Sequence, residues 1–299
     1  MQLEFTVPTP CDGWPLRGFL RSVGVSAALQ RAVKSATGFW VGGAPVRTCD
    51  AVHAGQTVTF QLPPEPPTTV QPQALPCQVC YESPHALVLD KPAGMAVHPT
   101  LGYRQGTLAN AYMGLLQARG ESGVFRPVNR LDVNTSGLVL CAKNAYAAPL
   151  LAAGATKTYW AVAQGEMPLG PGQVDAPIAR APGSIILRCV APGGQPSCTA
   201  YRVCAAAGGV SLVQVTPLTG RTHQIRVHFS HMGYPLAGDE LYGGSRGAIG
   251  RHALHCAQLT FAPPQGGAPV TVYSPLPPDM AALCRRAGLR LPPEALDCF

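Results

Sequence analysis

At 299 residues, with 46% hydrophobic and only 12% charged side chains, the chain is long enough for one large core, or for a core of roughly 200 residues beside a small appended unit. That composition excludes disorder over most of its length. Met1-Gln2-Leu3-Glu4-Phe5 lacks a basic region followed by an apolar run, and no stretch approaches roughly 18 uninterrupted apolar residues. The expectation is a cytoplasmic chain that neither spans a membrane nor is exported. A net charge of +7 has the sign a polyphosphate partner selects, but most surplus basic side chains are simply solvated. Eleven cysteines, an uneven number, fit reduced thiols. Cys77 and Cys80 form the one Cys-x-x-Cys, and without a second pair at zinc-ribbon spacing no metal is expected.

In chain order, Asp12 to about Leu62 reads as a small α+β unit: helices near Leu16–Val23 and Ser26–Ser35, then strands near Gly38–Val41 and Gln56–Leu62. Arg17, Arg21, Arg31 and Lys34 fall on the helical part. Pro63-Pro64-Glu65-Pro66-Pro67-Thr68-Thr69-Val70-Gln71-Pro72 cannot enter a helix or sheet interior and favours an extended, semi-rigid spacer. The expected division is therefore 1–65, a linker at 66–78, and a larger domain at 79–299. In that domain strands are expected at Ala86–Leu89, Gly137–Ala142, Thr158–Gln164, Ile185–Val190, Thr199–Val203 and Ser211–Thr216. Helices are expected at Leu108–Ala118, Tyr146–Ala153 and about His223–Met232. The mixture predicts an α+β domain on a mainly antiparallel sheet.

Three segments carry candidate chemistry. Arg126-Pro127-Val128-Asn129-Arg130-Leu131-Asp132-Val133-Asn134-Thr135-Ser136-Gly137-Leu138 is a polar turn entering an apolar strand, with Asp132 in the loop. Taken alone, such an Asp is a turn-former bonded to its own backbone. Lys157-Thr158-Tyr159-Trp160-Ala161-Val162 by itself is a core strand. Pro217-Leu218-Thr219-Gly220-Arg221-Thr222-His223-Gln224-Ile225-Arg226-Val227-His228 is the most specific stretch. Its histidines, with His231, do not fall at a recognised metal-ligand spacing on a helix. Further matches lie at Asp90-Lys91-Pro92-Ala93-Gly94-Met95-Ala96-Val97-His98-Pro99 and at Gly233-Tyr234-Pro235-Leu236-Ala237-Gly238-Asp239-Glu240-Leu241-Tyr242-Gly243, both read as scaffold.

Together, from about Val79 to Leu276, these segments resemble the RluA-type pseudouridine synthases, which isomerise uridines in RNA. The resemblance implies an α+β catalytic domain with a mainly antiparallel mixed sheet. It implies Asp132 as nucleophile, Tyr159 against the target base, and Arg226 as the guanidinium that holds and orients the carboxylate. It further implies structured ribosomal or transfer RNA as partner, contacted by Arg130, Lys157 and Arg221. The unit at 1–65 resembles the S4 RNA-binding module, which would place Arg17, Arg21 and Arg31 on RNA. Asn129 stands where the family has His. The implied isomerisation needs no redox cofactor or energy source, and the chain carries no phosphate loop and no dinucleotide fingerprint after a strand. Nothing demands more than a monomer. Asn129 leaves open an alternative, a catalytically weak RNA-binding or ribosome-assembly factor keeping the fold. A hydrolase using Asp132 would need a second carboxylate as acid or base, and no motif supplies one.

Overall fold

A computed structural model describes residues 1–296. Residues 297–299, the end of the expected catalytic span and the place of one of the eleven cysteines, lie outside it. The N-terminal part comprises β1 (Gln2–Thr6), β2 (Trp14–Pro15), α1 (Leu16–Ser22), α2 (Ala27–Ala36), β3 (Phe39–Val41), β4 (Ala44–Val46), β5 (Ala51–Val52) and β6 (Thr57–Gln61). Four of its strands form an antiparallel sheet in the order β1-β6-β3-β4. Ser26 caps α2 by accepting the Leu29 N–H. Leu16, Phe19, Leu20, Leu29 and Val33 from the two helices fill a core with Phe39, Val58 and Phe60 from the sheet. Both expected helices are present within two residues of their predicted ends, whereas β1 was not anticipated.

Residues 62–77 form neither helix nor strand, as the prolines require. The segment is nonetheless docked. Gln73 N–H donates to the Asn110 carbonyl, Asn110 Nδ2 donates to the Gln71 carbonyl at 2.8 Å, and Glu65 pairs with Arg126.

The remaining strands are β7 (Gln78–Glu82), β8 (Ala86–Lys91), β9 (Ser136–Ala142), β10 (Thr156–Gln164), β11 (Gly170–Asp175), β12 (Ile178–Arg180), β13 (Arg188–Val190), β14 (Cys198–Ala207), β15 (Val210–Pro217), β16 (Leu254–Phe261) and β17 (Val270–Tyr273). The helices are α3 (Leu108–Ala118), α4 (Ala147–Gly154), α5 (Gln224–His231), α6 (Pro278–Arg286) and the short α7 (Pro293–Leu296). Nine strands make one sheet, β11-β14-β15-β10-β16-β9-β8-β7, with β17 on the second half of β16. Every pairing is antiparallel except β9 with β16, which runs parallel. The expected fold class, α+β on a mixed and mainly antiparallel sheet, is the one adopted.

The sheet is buried on both faces. Along β10, Tyr159, Ala161 and Ala163 enter the main core while Trp160 and Val162 enter a second one with Met280, Leu283 and Cys284 of α6, the period-two alternation of a strand. That is why β9 and β10 read as near-continuous apolar runs. Gly137, at φ +109°, closes the parallel join: a Cβ there would lie 2.2 Å from the Cys256 carbonyl oxygen. This close approach brings the chain after Asp132 alongside β16.

One expected strand is corrected. Of Ile185–Val190 only Arg188–Val190 is extended. The Ser184 hydroxyl accepts the N–H groups of Ile186 and Leu187, a turn that overrides the β-branched composition. Ile185 and Ile186 are consequently exposed at a hairpin tip.

Candidate active site

Asp132 lies in the loop between Leu131 and β9, and the loop is fixed from three sides. Thr135 N–H donates to the Asp132 carbonyl, Gly94 N–H donates to the Val133 carbonyl, and the fully buried Lys91 donates from Nζ to the carbonyls of Pro92 (2.9 Å), Met95 (2.8 Å) and Val133 (3.1 Å). Burial pushes the Lys91 pKa down to about 7, against the pull of Asp132. Three carbonyl acceptors nevertheless match the three protons of an ammonium. Lys91 thereby ties the Asp90–Pro99 segment to the Asp132 loop.

Asn129 works on the same frame. Buried, it donates from Nδ2 to the Leu138 carbonyl at 3.1 Å and accepts the Leu140 N–H on Oδ1 at 2.8 Å. It grips the strand that carries the loop. Asn129→Ala would leave a buried N–H and C=O unpaired, and the expected loss is about 2–3 kcal/mol of unfolding free energy by urea titration.

Arg226 comes from α5, ninety-four positions along the chain, and meets Asp132: Nη1 donates to Oδ2 at 2.9 Å. The rest of its guanidinium is held by Asp239, with Nε and Nη2 each donating at 2.7 Å to the two oxygens of that carboxylate. Burial alone would lower the Arg226 pKa, but Asp239 and Asp132 outweigh it and hold it above the ordinary value. The charge is permanent and its orientation is set bidentately. Tyr242 completes the support, its ring 4.9 Å from the guanidinium carbon. His223, at the N-cap of α5, brings Nε2 to 3.8 Å from Asp132 Oδ2.

Tyr159 is on β10 and is 7% exposed. Burial, then the Cys256 thiol bonded to it, raise its phenol well above the ordinary range, with a smaller contribution from Asp132, so the hydroxyl stays protonated. Structure thus brings Arg226 onto Asp132, while Tyr159 sits opposite Cys256 of β16, whose other neighbour is Gly137 at the start of β9. Arg130, beside them in sequence, is exposed and close enough to lower the pKa of His98 after burial has done so. Lys157 is half-buried on β10. Arg221 is exposed and donates from Nε to the Pro196 carbonyl at 3.3 Å. Arg17, Arg21 and Arg31 are exposed on the N-terminal helices, remote in sequence from these groups.

Asp239, Tyr242, His223 and Lys91 were legible only as members of quoted motifs, without roles. His252 was not singled out. Its Nε2 lies 2.8 Å from Thr135 Oγ1, and burial, then Arg226, push its pKa down to about 4. His255, bonded to Ser136 and Ser274, is shifted the same way. Between pH 6.5 and 4 the unfolded chain binds protons that the folded chain refuses, so stability falls on acidification. His252 alone should remove about 2 kcal/mol between pH 7 and 5. Urea midpoints at the two pH values measure it, and His252→Gln should reduce the difference.

A cavity of about 460 Å³ lies against Asn134, Arg226, Asp239, Arg246, Arg251 and His252, within the range of small-molecule sites. Among the described residues no group of three or more His, Cys, Asp or Glu is placed to hold a metal ion, and no helix is long and apolar enough to cross a membrane. The two ring nitrogens of His228 are already taken by Thr199 and the Ala176 carbonyl.

Residues 85–231 match the family model for RNA pseudouridylate synthase. The uncharacterized RNA pseudouridine synthase YjbO of Bacillus subtilis is 35% identical over 90% of this chain and 98% of its own. Ribosomal large subunit pseudouridine synthase D of Xanthomonas campestris is 37% identical over 81% of this chain and 78% of its own. Among solved structures, human RNA pseudouridylate synthase domain containing 1 superposes with a TM-score of 0.57 at 27% identity, covering 73% of this chain and 90% of that one. With the acidic loop, the buried arginine and the sheet that joins them in place, the chain belongs to the RluA-type RNA pseudouridine synthases and is an isomerase.

Proposed function

We propose that this synthase converts specific uridines of ribosomal or transfer RNA, with Asp132 as nucleophile acting on a uridine flipped out of its stack. The observation that carries the reading is the Asp132–Arg226–Asp239 chain of bonds at 2.9, 2.7 and 2.7 Å, which holds a partly exposed carboxylate on a permanent cation. In the reaction the bond from uracil N1 to the ribose breaks, the base turns, C5 joins the ribose carbon, and the C5 proton leaves while N1 gains one. The change is redox-neutral and needs a nucleophile, a grip on the base and a path for one proton.

Asp132 stabilises or attacks the separated fragments, and Tyr159 holds the base and helps move the C5 proton. Arg130 takes the place the base vacates. Extrusion costs a few kcal/mol, least in loops and bulges. Lys157 and Arg221 contact the RNA backbone, and residues 1–65, as an S4-like unit joined through 66–78 to the catalytic domain at 79–299, present Arg17, Arg21 and Arg31 to phosphate. The likeness to the Xanthomonas ribosomal large subunit pseudouridine synthase D favours large-subunit ribosomal RNA as the first RNA to test. The enzyme is read as a cytoplasmic monomer. The packing role of Asn129 weighs against the assembly-factor reading, which had that residue as its sole support.

Purified protein incubated with ribosomal and transfer RNA from cells lacking the gene tests the reading. New carbodiimide-dependent reverse-transcription stops at one or a few uridines in either RNA class support it, and none in either class overturns it.

A further inference from the structure

His223 is the one non-glycine residue with positive φ among those described, at φ 57° and ψ 18°. Histidine is among the side chains that tolerate this region, and outliers of this kind gather at active sites. Nδ1 lies 2.8 Å from the Tyr242 hydroxyl and Nε2 lies 3.8 Å from Asp132 Oδ2. Two independent facts assign the ring proton. The Tyr242 oxygen already accepts the Arg188 backbone N–H at 3.1 Å, and His223 Nδ1 is the acceptor that the structure offers the phenol's own proton. A carboxylate beside Nε2, for its part, is attracted by an N–H and repelled by a lone pair. Both favour a proton on Nε2 over one on Nδ1.

Tyr242 is itself held: Ser230 Oγ donates to its carbonyl at 2.8 Å, and Arg226 stacks on its ring. Burial lowers the imidazole pKa, so near neutral pH the ring sits 3.8 Å from Asp132 without a charge competing with Arg226. Arg226 Nη1 and His223 Nε2 converge on the same oxygen, Oδ2, whereas among the described residues no donor is bonded to Oδ1.

We propose that His223, set in its Nε2–H form by Tyr242, is a positioning residue that shares Oδ2 of Asp132 with Arg226 and so presents Oδ1 to the substrate. This rests on the reading of Asp132 as nucleophile. The ring proton is observable without activity: long-range proton–nitrogen spectra of protein labelled with ¹⁵N-histidine should show Nε2 protonated and Nδ1 bare, with the preference lost in Tyr242→Phe. A proton on Nδ1 in the wild type overturns the proposal.

The kinetic test is a double-mutant cycle under single-turnover conditions, with total RNA from cells lacking the gene and readout at the uridines that the wild type converts. His223→Asn keeps a residue suited to the left-handed backbone but cannot reach Asp132. It should slow conversion about 10–30-fold with RNA affinity unchanged, the scale of lost alignment. Tyr242→Phe, which keeps the ring on Arg226, should slow it about 3–10-fold, and the double variant no further than His223→Asn, because the pair acts as a unit. Multiplying losses, or a wild-type rate in His223→Asn, overturn the proposal. Conversion by Asp132→Asn would instead overturn the underlying reading. Should His223→Asn fail to fold, the spectra of wild type and Tyr242→Phe decide alone.

Discussion

Asp132→Asn should leave the protein folded and RNA-bound while lowering pseudouridine formation about 10⁴-fold, the scale on which removal of a nucleophile acts. The amide has the shape of the carboxylate, and its oxygen can still accept Arg226 Nη1, now at 2.9 Å from Oδ2. The loop geometry depends on main-chain groups, the Thr135 N–H on the Asp132 carbonyl and the Val133 carbonyl on Gly94 and Lys91, so it survives the change. Arg226 keeps its bidentate partner Asp239. What is lost is the negative charge and, on the proposed reading, the attacking oxygen. Single-turnover conversion and filter binding of the same RNA separate the two effects, and a variant that loses affinity in step with rate would mean that Asp132 serves binding instead of chemistry.

Asp239→Asn should act on both stability and rate. Asp239 is 2% exposed and receives two guanidinium N–H groups at 2.7 Å. Its place is built by a backbone that other residues cannot adopt: Gly238 has φ +79°, and a Cβ there would stand 2.0 Å from the Arg251 carbonyl oxygen. Replacing the carboxylate leaves a buried cation balanced by Asp132 alone, and breaking a buried pair from one side costs about 3 kcal/mol. The guanidinium, freed on that side, turns toward Asp132 and misaligns it, for a loss of about 100-fold in rate. Urea titration and single-turnover kinetics check the two parts. Unchanged kinetics would mean that Arg226 is aligned by Tyr242 and the walls of its pocket.

The sequence was most legible where local rules and long motifs agree. α3 has the predicted ends, with Thr107 and Asn110 forming a reciprocal cap, and the apolar runs of β9 and β10 are central strands. β16 escaped notice although Ala257-Gln258-Leu259-Thr260-Phe261 alternates apolar and polar side chains with the period of a strand. α6 escaped because its start is a proline at the first helical position, easily taken as one more loop proline in a proline-rich chain. Ile185 and Ile186 misled because composition outweighed one serine turn.

At the site, Asp132, Tyr159 and Arg226 were marked by the resemblance, and the fold joins Arg226 to Asp132. The bidentate hold of Asp239 on Arg226, the Tyr242–His223 pair and the Lys91 anchor were hidden. Each joins residues 13 to 42 positions apart in the chain, and a lone Asp, Tyr or Lys in a glycine-rich stretch reads equally well as scaffold. Asn129 looked like a functional departure, and its two bonds to β9 give it a packing role.

The most direct test of the central claim is pseudouridine mapping on total RNA from cells lacking the gene, restored with either wild type or Asp132→Asn. The expected result is that one or a few uridines in ribosomal or transfer RNA lose the modification and regain it with the wild type alone. Restoration by Asp132→Asn, or a map that does not change when the gene is lost, would contradict the account.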